Sequence, residues 1–175
     1  MAIVKANYIK RDKKQKHRAK ASLRYMQHRP GKEGAKTQRT LFGLDGAMER
    51  QEAYHMIDEA EQGSIFFRFV LNPDPEREDT RHDLDLRALT EHTMRILTEK
   101  FHTLQKPIEW VAAVHADHTP NRHVHILSVV PGRLTEQDFT HMRTAATTAS
   151  VEQRKELDRH LQQQQQKEVG WQLPA

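Results

Sequence analysis

The sequence predicts an α+β domain: an antiparallel β-sheet with helices packed on one face. Three observations carry that expectation. The apolar runs SIFFRFVL (residues 64–71) and WVAAV (110–114) are rich in aromatic and β-branched residues and are too short for helices of a buried core. Two strand-like segments, 109–115 and 123–130, flank a seven-residue stretch holding Pro120 and Asn121, which suits a hairpin loop. Between such runs lie segments whose apolar residues recur at helical spacing.

The elements follow in order. Ile3 to Ile9 reads as a short strand, and Arg18 to Gln27 as a helix that must end near Arg29-Pro30-Gly31, because proline disfavours helical geometry in the residue before it. Between Ala47 and Gln62, Tyr54, Ile57 and Ala60 share one helical face, with Gly63 as the residue past its end. SIFFRFVL, closed by Asn72-Pro73, is the central strand. A charged loop leads to a helix over Leu86 to His102, where Leu89, Thr93, Ile96 and Leu97 recur and Asp83 or Asp85 can cap the start. After the hairpin and Pro131-Gly132, Thr135 and Asp138 form a capping-box pattern that opens a further helix. A final polar helix or coil contains the run Gln162 to Gln166. The expected organisation is a core over residues 1–134 and a helical extension with a Gln-rich tail over 135–175.

With 175 residues, 36% hydrophobic and 30% charged, the chain suits one lean domain. It has no cysteine, so disulfides and thiolate-held metals are excluded, and any metal must be held by His, carboxylates or water. No apolar stretch approaches the roughly 20 residues that span a bilayer, and MAIVKANYIKRDKK has no signal-like segment, so we expect no membrane insertion and a cytoplasmic protein. The net charge of +4 hides an asymmetry. Thirteen of the 28 Lys and Arg lie in residues 1 to 40 against only Asp12 and Glu33, which leaves the remainder at −7. Such an arm attracts a polyanion by counterion release; a solvated leader is the alternative.

His123 and His125 are two apart on a strand, so both imidazoles leave one face while Val124 and Ile126 point to the other. If the hairpin closes, His115 joins them, and three neutral imidazoles make a facial metal site with open positions. Asp117 and His118, in the connecting loop, can orient a ligand's second nitrogen, solvation of the loop being their other reading. A tris-histidine site alone names no reaction.

HADHTPNRHVHILSVV resembles the third motif of relaxases, the mobilization nucleases of the HUH class. LRYMQHRPG resembles the family's tyrosine motif, and FRFVLNPD, DLRALTEHTM and IEWVAAVHAD follow in the family's order, so the resemblance covers roughly residues 20 to 134. It implies a relaxase-like HUH fold and metal-assisted, site- and strand-specific nicking and religation of single-stranded DNA at an origin-of-transfer hairpin. Tyr25 would be the nucleophile and His115, His123 and His125 the ligands of Mn or Mg, with Zn, Co or Ni also compatible with imidazole. Asp117 or Asp85 would accept the phenol proton, Asp85 having a helix cap as its other reading. Lys20, Arg24, Arg29 and Lys32 would contact phosphates. Accessory mobilization proteins and a type IV coupling protein would be partners.

Tyr8 and Tyr54 are the rival nucleophiles, Tyr54 having core packing as its alternative. The chain departs from the family's pattern at Asn72, where many relatives carry serine, in a His115–His123 spacing about one residue longer, and in stopping after a Gln-rich tail. The other readings are a replication-initiator nuclease of the same superfamily, a tris-histidine enzyme acting on a small molecule, and a DNA-binding accessory protein that does not cut.

Overall fold

The structure, a computed structural model, describes residues 1–30, 34, 37–116 and 121–171. The strands are β1 (Ile3–Tyr8), β2 (Leu41–Gly43), β3 (Gly46–Met48), β4 (Ile65–Asn72), β5 (Glu109–His115) and β6 (His123–Val130). The helices are α1 (Gln15–His28), α2 (Arg50–Asp58), α3 (Leu86–Thr103) and α4 (Glu136–Trp171). All six strands form one antiparallel sheet in the order β1-β4-β6-β5-β2-β3. The α+β class and the antiparallel sheet are therefore as the sequence predicts.

Helices cover both faces, and this corrects the expectation of a single covered face. The reason lies in the central strands. In β4, Phe67, Phe69 and Leu71 point to a cluster with Leu89, Met94 and Leu97 of α3 and Met142 and Ala146 of α4. Phe66 points the other way, with Val111 and Ala113 of β5 and Leu127 and Val129 of β6, to Leu23 and Met26 of α1 and Ile57 of α2. A sheet apolar on both sides must be covered on both.

Local differences have local causes. The helix expected from Ala47 begins only at Arg50, because Leu41 to Met48 turns back on itself as the β2–β3 hairpin, with Gly46 at φ 119°. Strands of three residues are too short to show a period. Glu49 and Glu52 close a capping box at the start of α2, which ends at Asp58, so Gly63, at φ 100°, serves the turn into β4 and not a helix end. α1 starts at Gln15 and stops at His28, where Arg29-Pro30 requires.

Thr135 and Asp138 form the expected box: the Thr135 amide donates to Asp138 Oδ2 at 2.6 Å, and the Asp138 amide to Thr135 Oγ1 at 3.3 Å. The helix they open runs unbroken through the glutamines. Its first half belongs to the core, and Arg154 fastens it to the loop before α3 by two bonds to Asp83, at 2.6 and 3.1 Å. That guanidinium holds the Asp83 carboxyl at about 2, well below the ordinary range. Residues 161–168 are exposed. No helix among the described residues is long and apolar enough to cross a membrane.

Candidate metal centre and its surroundings

The hairpin closes in the register the sequence requires, with His115 directly opposite His123 and Ala113 opposite His125. Opposed and alternating positions share a face, so all three imidazoles leave the side of the sheet that α1 covers. Ring centroids are 5.3 Å apart for His115–His123, 4.4 Å for His115–His125 and 5.0 Å for His123–His125. One nitrogen of each ring lies within 4.8 Å of the others.

Hydrogen bonds decide which nitrogens face inward. His115, 1% exposed, donates from Nε2 to the Met26 carbonyl of α1 at 2.8 Å, which makes Nδ1 its lone-pair nitrogen. His123 donates from Nδ1 to the Asn121 carbonyl at 3.1 Å, which fixes Nε2 in that role. His115 Nδ1 and His125 Nε2 are buried ring nitrogens without a hydrogen-bond partner. Such an orphan costs about 1–3 kcal/mol, so two in one cluster call for an occupant.

Electrostatics agree. Burial first, then the charge His125 would carry and the guanidinium of Arg39, pushes His115 down to about 3. Burial, then His123, Arg29 and Arg39, pushes His125 down to about 4. Both rings are thus neutral in neutral solution. Three imidazoles, two of them held neutral, that converge with no carboxylate among the described residues suit a borderline divalent cation and leave coordination positions open. The cluster can hold such a metal; the donor set and the two orphans fit it.

The C-terminal turn of α1 rests directly on this cluster, because the carbonyl that orients His115 belongs to Met26, the residue after Tyr25. Tyr25 is 52% exposed, and its hydroxyl makes no hydrogen bond among the described residues. The Arg29 guanidinium lies 5.7 Å from the Tyr25 ring and is also a cause of the low His125 value, so one cation is within electrostatic reach of both. Tyr8, by contrast, pairs with Phe67 and leaves the opposite face. Tyr54 is half-buried against the cluster under α1 and α2.

The remaining expected residues fall as follows. Asp85 is the N-cap of α3, its carboxylate accepting from the Arg87 and Ala88 amides at 3.0 Å each, on a helix that packs against the other face of the sheet. Lys20 pairs with Asp58 at 2.6 Å, and Arg24 donates to the Tyr54 hydroxyl at 3.3 Å, so both tie α1 to α2. Asp117 and Lys32 lie outside the described residues.

Other neighbours of the site, all but Asn72, were not singled out from sequence. Arg39, 7% exposed, donates to the Arg29 carbonyl at 3.0 Å and holds the chain after α1 against the site. Arg122, immediately before the first strand histidine, makes two bonds to buried Asp79 at 2.9 and 2.8 Å and a third to the Leu84 carbonyl. Its place beside His-x-His was the available signal, but its partner, 43 residues away, has none. The β4–β6 register, carried one step beyond Leu71–Val124, sets Asn72 opposite His123, with its side-chain oxygen buried and unpartnered. Past the edge of α1 the same sheet face continues as exposed Lys5 and Asn7 on β1 and Arg68 on β4.

Compared with family models, curated proteins and solved structures, the chain matches none of them.

Proposed function

We propose that the chain is a metal-dependent nuclease of the relaxase kind, which nicks and reseals single-stranded DNA through Tyr25. The observation that carries this reading is the bond from His115 to the Met26 carbonyl, which joins the helix turn bearing an exposed tyrosine to a cluster of three converging imidazoles. His115 Nδ1, His123 Nε2 and His125 Nε2 would hold the cation. When bound, it supplies Lewis-acid neutralisation of charge on the scissile phosphate.

The chain's own residues do the rest. Tyr25 Oη attacks phosphorus, a new oxygen–phosphorus bond forms, and the bond to the 3′-oxygen breaks. The 5′-phosphate is then covalently held on the protein. The phenol proton leaves to solvent or a base, and the departing oxygen takes up a proton as a free 3′-hydroxyl, so the step is balanced and reversible. Arg29, beside the Tyr25 ring, sets a positive charge next to the attacking residue. Arg29, Lys5 and Arg68 offer phosphate contacts on the same face, with Asn72 at the cluster's rim. A DNA-processing role at an origin-of-transfer hairpin, with Mn or Mg as the ion, rests on the resemblance of the motifs.

The test is incubation of the protein and Mn with labelled single-stranded DNA carrying candidate origin sequences. A denaturation-resistant adduct that is lost in Tyr25→Phe, with DNA binding retained, is expected. An adduct that survives Tyr25→Phe, or none with any strand, overturns the reading.

A further inference from the structure

Far from the histidines lies a second concave site, about 520 Å³ in volume, whose lining includes Tyr8, Arg11, Phe67, Arg133, Leu134 and Phe139. It opens on the face of the sheet opposite the imidazoles. It also sits at the other end of the central strand: Ile65, in its wall, pairs with Val130, the last residue of β6, whereas His123 is the first. At about 3.3 Å per residue the two sites are roughly 20 Å apart along the strand.

The lining combines two chemistries that do not normally remain idle together. Phe67 and Phe139 meet edge to face with centroids 6.4 Å apart, forming an aromatic floor. Tyr8, cross-strand neighbour of Phe67, stands 66% exposed, and among the described residues it makes no hydrogen bond or ring contact. Arg11 and Arg133 reach the same cavity, and neither has an ion-pair or hydrogen-bond partner among the described residues. The nearby carboxylates are engaged elsewhere: Asp12 with Arg18 at 2.6 Å, Asp138 with Lys100 at 2.6 Å and Glu136 with Arg143 at 3.3 Å. Exposed Lys10, Lys13 and Lys14 add positive charge to the segment that bears Arg11.

We propose that this cavity binds a nucleotide unit of single-stranded DNA, its base stacked on Tyr8 and its phosphate held by Arg11 and Arg133. A flat π-face matches the exposed ring, and a phosphate matches two guanidinium forks. A purely apolar ligand would leave both guanidiniums unpaired, and a simple anion would leave the ring and the aromatic floor uncovered. The volume lies within the usual 300–1,000 Å³ of small-molecule sites. The site is independent of nicking, so it stands whether or not Tyr25 forms an adduct.

The test uses the full chain in EDTA, a short fluorescein-labelled oligothymidylate carrying 5-bromodeoxyuridine, and dTMP as competitor. Photocrosslinks at Tyr8 or Phe139 are expected, and they should persist in His123→Ala/His125→Ala. Affinity should fall about tenfold in Tyr8→Ala and at least as much in Arg11→Ala/Arg133→Ala, with Tm unchanged. Unlabelled oligothymidylate that competes far better than dTMP identifies a strand as the source. Equal competition identifies a free nucleotide, which keeps the pocket's chemistry and overturns its assignment to DNA. Crosslinks confined to the histidine face, wild-type affinity in both variants, or no binding at all overturns the site.

Discussion

The two faces of the central sheet are made from alternate residues of the same strands, yet they differ in kind. Toward α3 and α4, β6 presents Val124, Ile126 and Val130, and β4 presents Phe67, Phe69 and Leu71, so the strands are apolar there except at buried Ser128, whose hydroxyl donates to the Glu109 carbonyl at 3.1 Å. Toward α1 and α2, β6 presents Val129 and Leu127 and then gives way to His125 and His123. The change occurs within two residues. On the first face no strand side chain among the described residues buries an unpartnered polar atom, whereas the strands of the other leave two buried ring nitrogens and the Asn72 side-chain oxygen open. The apolar core and the candidate metal cluster are thus separated by the twofold alternation of a strand, so each should be removable without the other.

The largest effect expected is on that separation. Phe69→Ala deletes a fully buried ring from the apolar face and should cost about 3–5 kcal/mol, enough to unfold a marginal domain. His125→Ala, on the neighbouring strand but the other face, should remain within about 1 kcal/mol of the parent, since it also removes a desolvated orphan. Its cost should appear in Mn affinity, lowered by a hundredfold or more. Urea unfolding and metal titration by calorimetry give the two numbers. If His125→Ala loses as much stability as Phe69→Ala, the histidines belong to the core and the contrast fails.

Acid should distinguish the faces next. The folded-state values of His115 and His125, about 3 and about 4, lie below the roughly 6.5 of an unfolded chain, so on acidification the unfolded state takes up protons that the folded state refuses. The stability these rings contribute is fully present above pH 6.5. It should fall as the pH drops from 6.5 toward 4 and level off near 3. Denaturation midpoints in EDTA at pH 7.5, 6, 5 and 4 should show this decline. In His115→Ala/His125→Ala the slope across that window should flatten. Carboxylates such as Asp83, held at about 2, act below it.

These contrasts explain what could be read in the chain beforehand. The histidine cluster was legible because strand alternation is a local rule: His123 and His125 must share a face, and one closed hairpin brings in His115. The central strand was legible from SIFFRFVL for the same reason. The second layer of helices was not, because whether Phe66 and Leu127 face solvent or another helix depends on segments distant in sequence. The β2–β3 hairpin was too short to show a period. The Arg122–Asp79 pair and the Met26 carbonyl are likewise long-range contacts made by groups that leave no pattern, a backbone oxygen least of all.

Asp85 gives the smallest effect and the most direct test of the same division. Sequence left it two roles, proton acceptor for Tyr25 and helix cap. The structure shows its carboxylate accepting two backbone amides at the start of α3, on the face opposite the histidines. A cap of this kind contributes about 1 kcal/mol, and Asn preserves it where Ala does not. Asp85→Ala should therefore lower stability by about that much, and Asp85→Asn should restore most of it. The proposed Tyr25-dependent nicking, assayed well below the midpoint of unfolding, should be unchanged in both. A carboxylate serving the phenol would behave differently, since Asn cannot accept the proton. A rate that falls tenfold or more in Asp85→Asn, with stability intact, would place Asp85 in the chemistry and dissolve the boundary between the two faces.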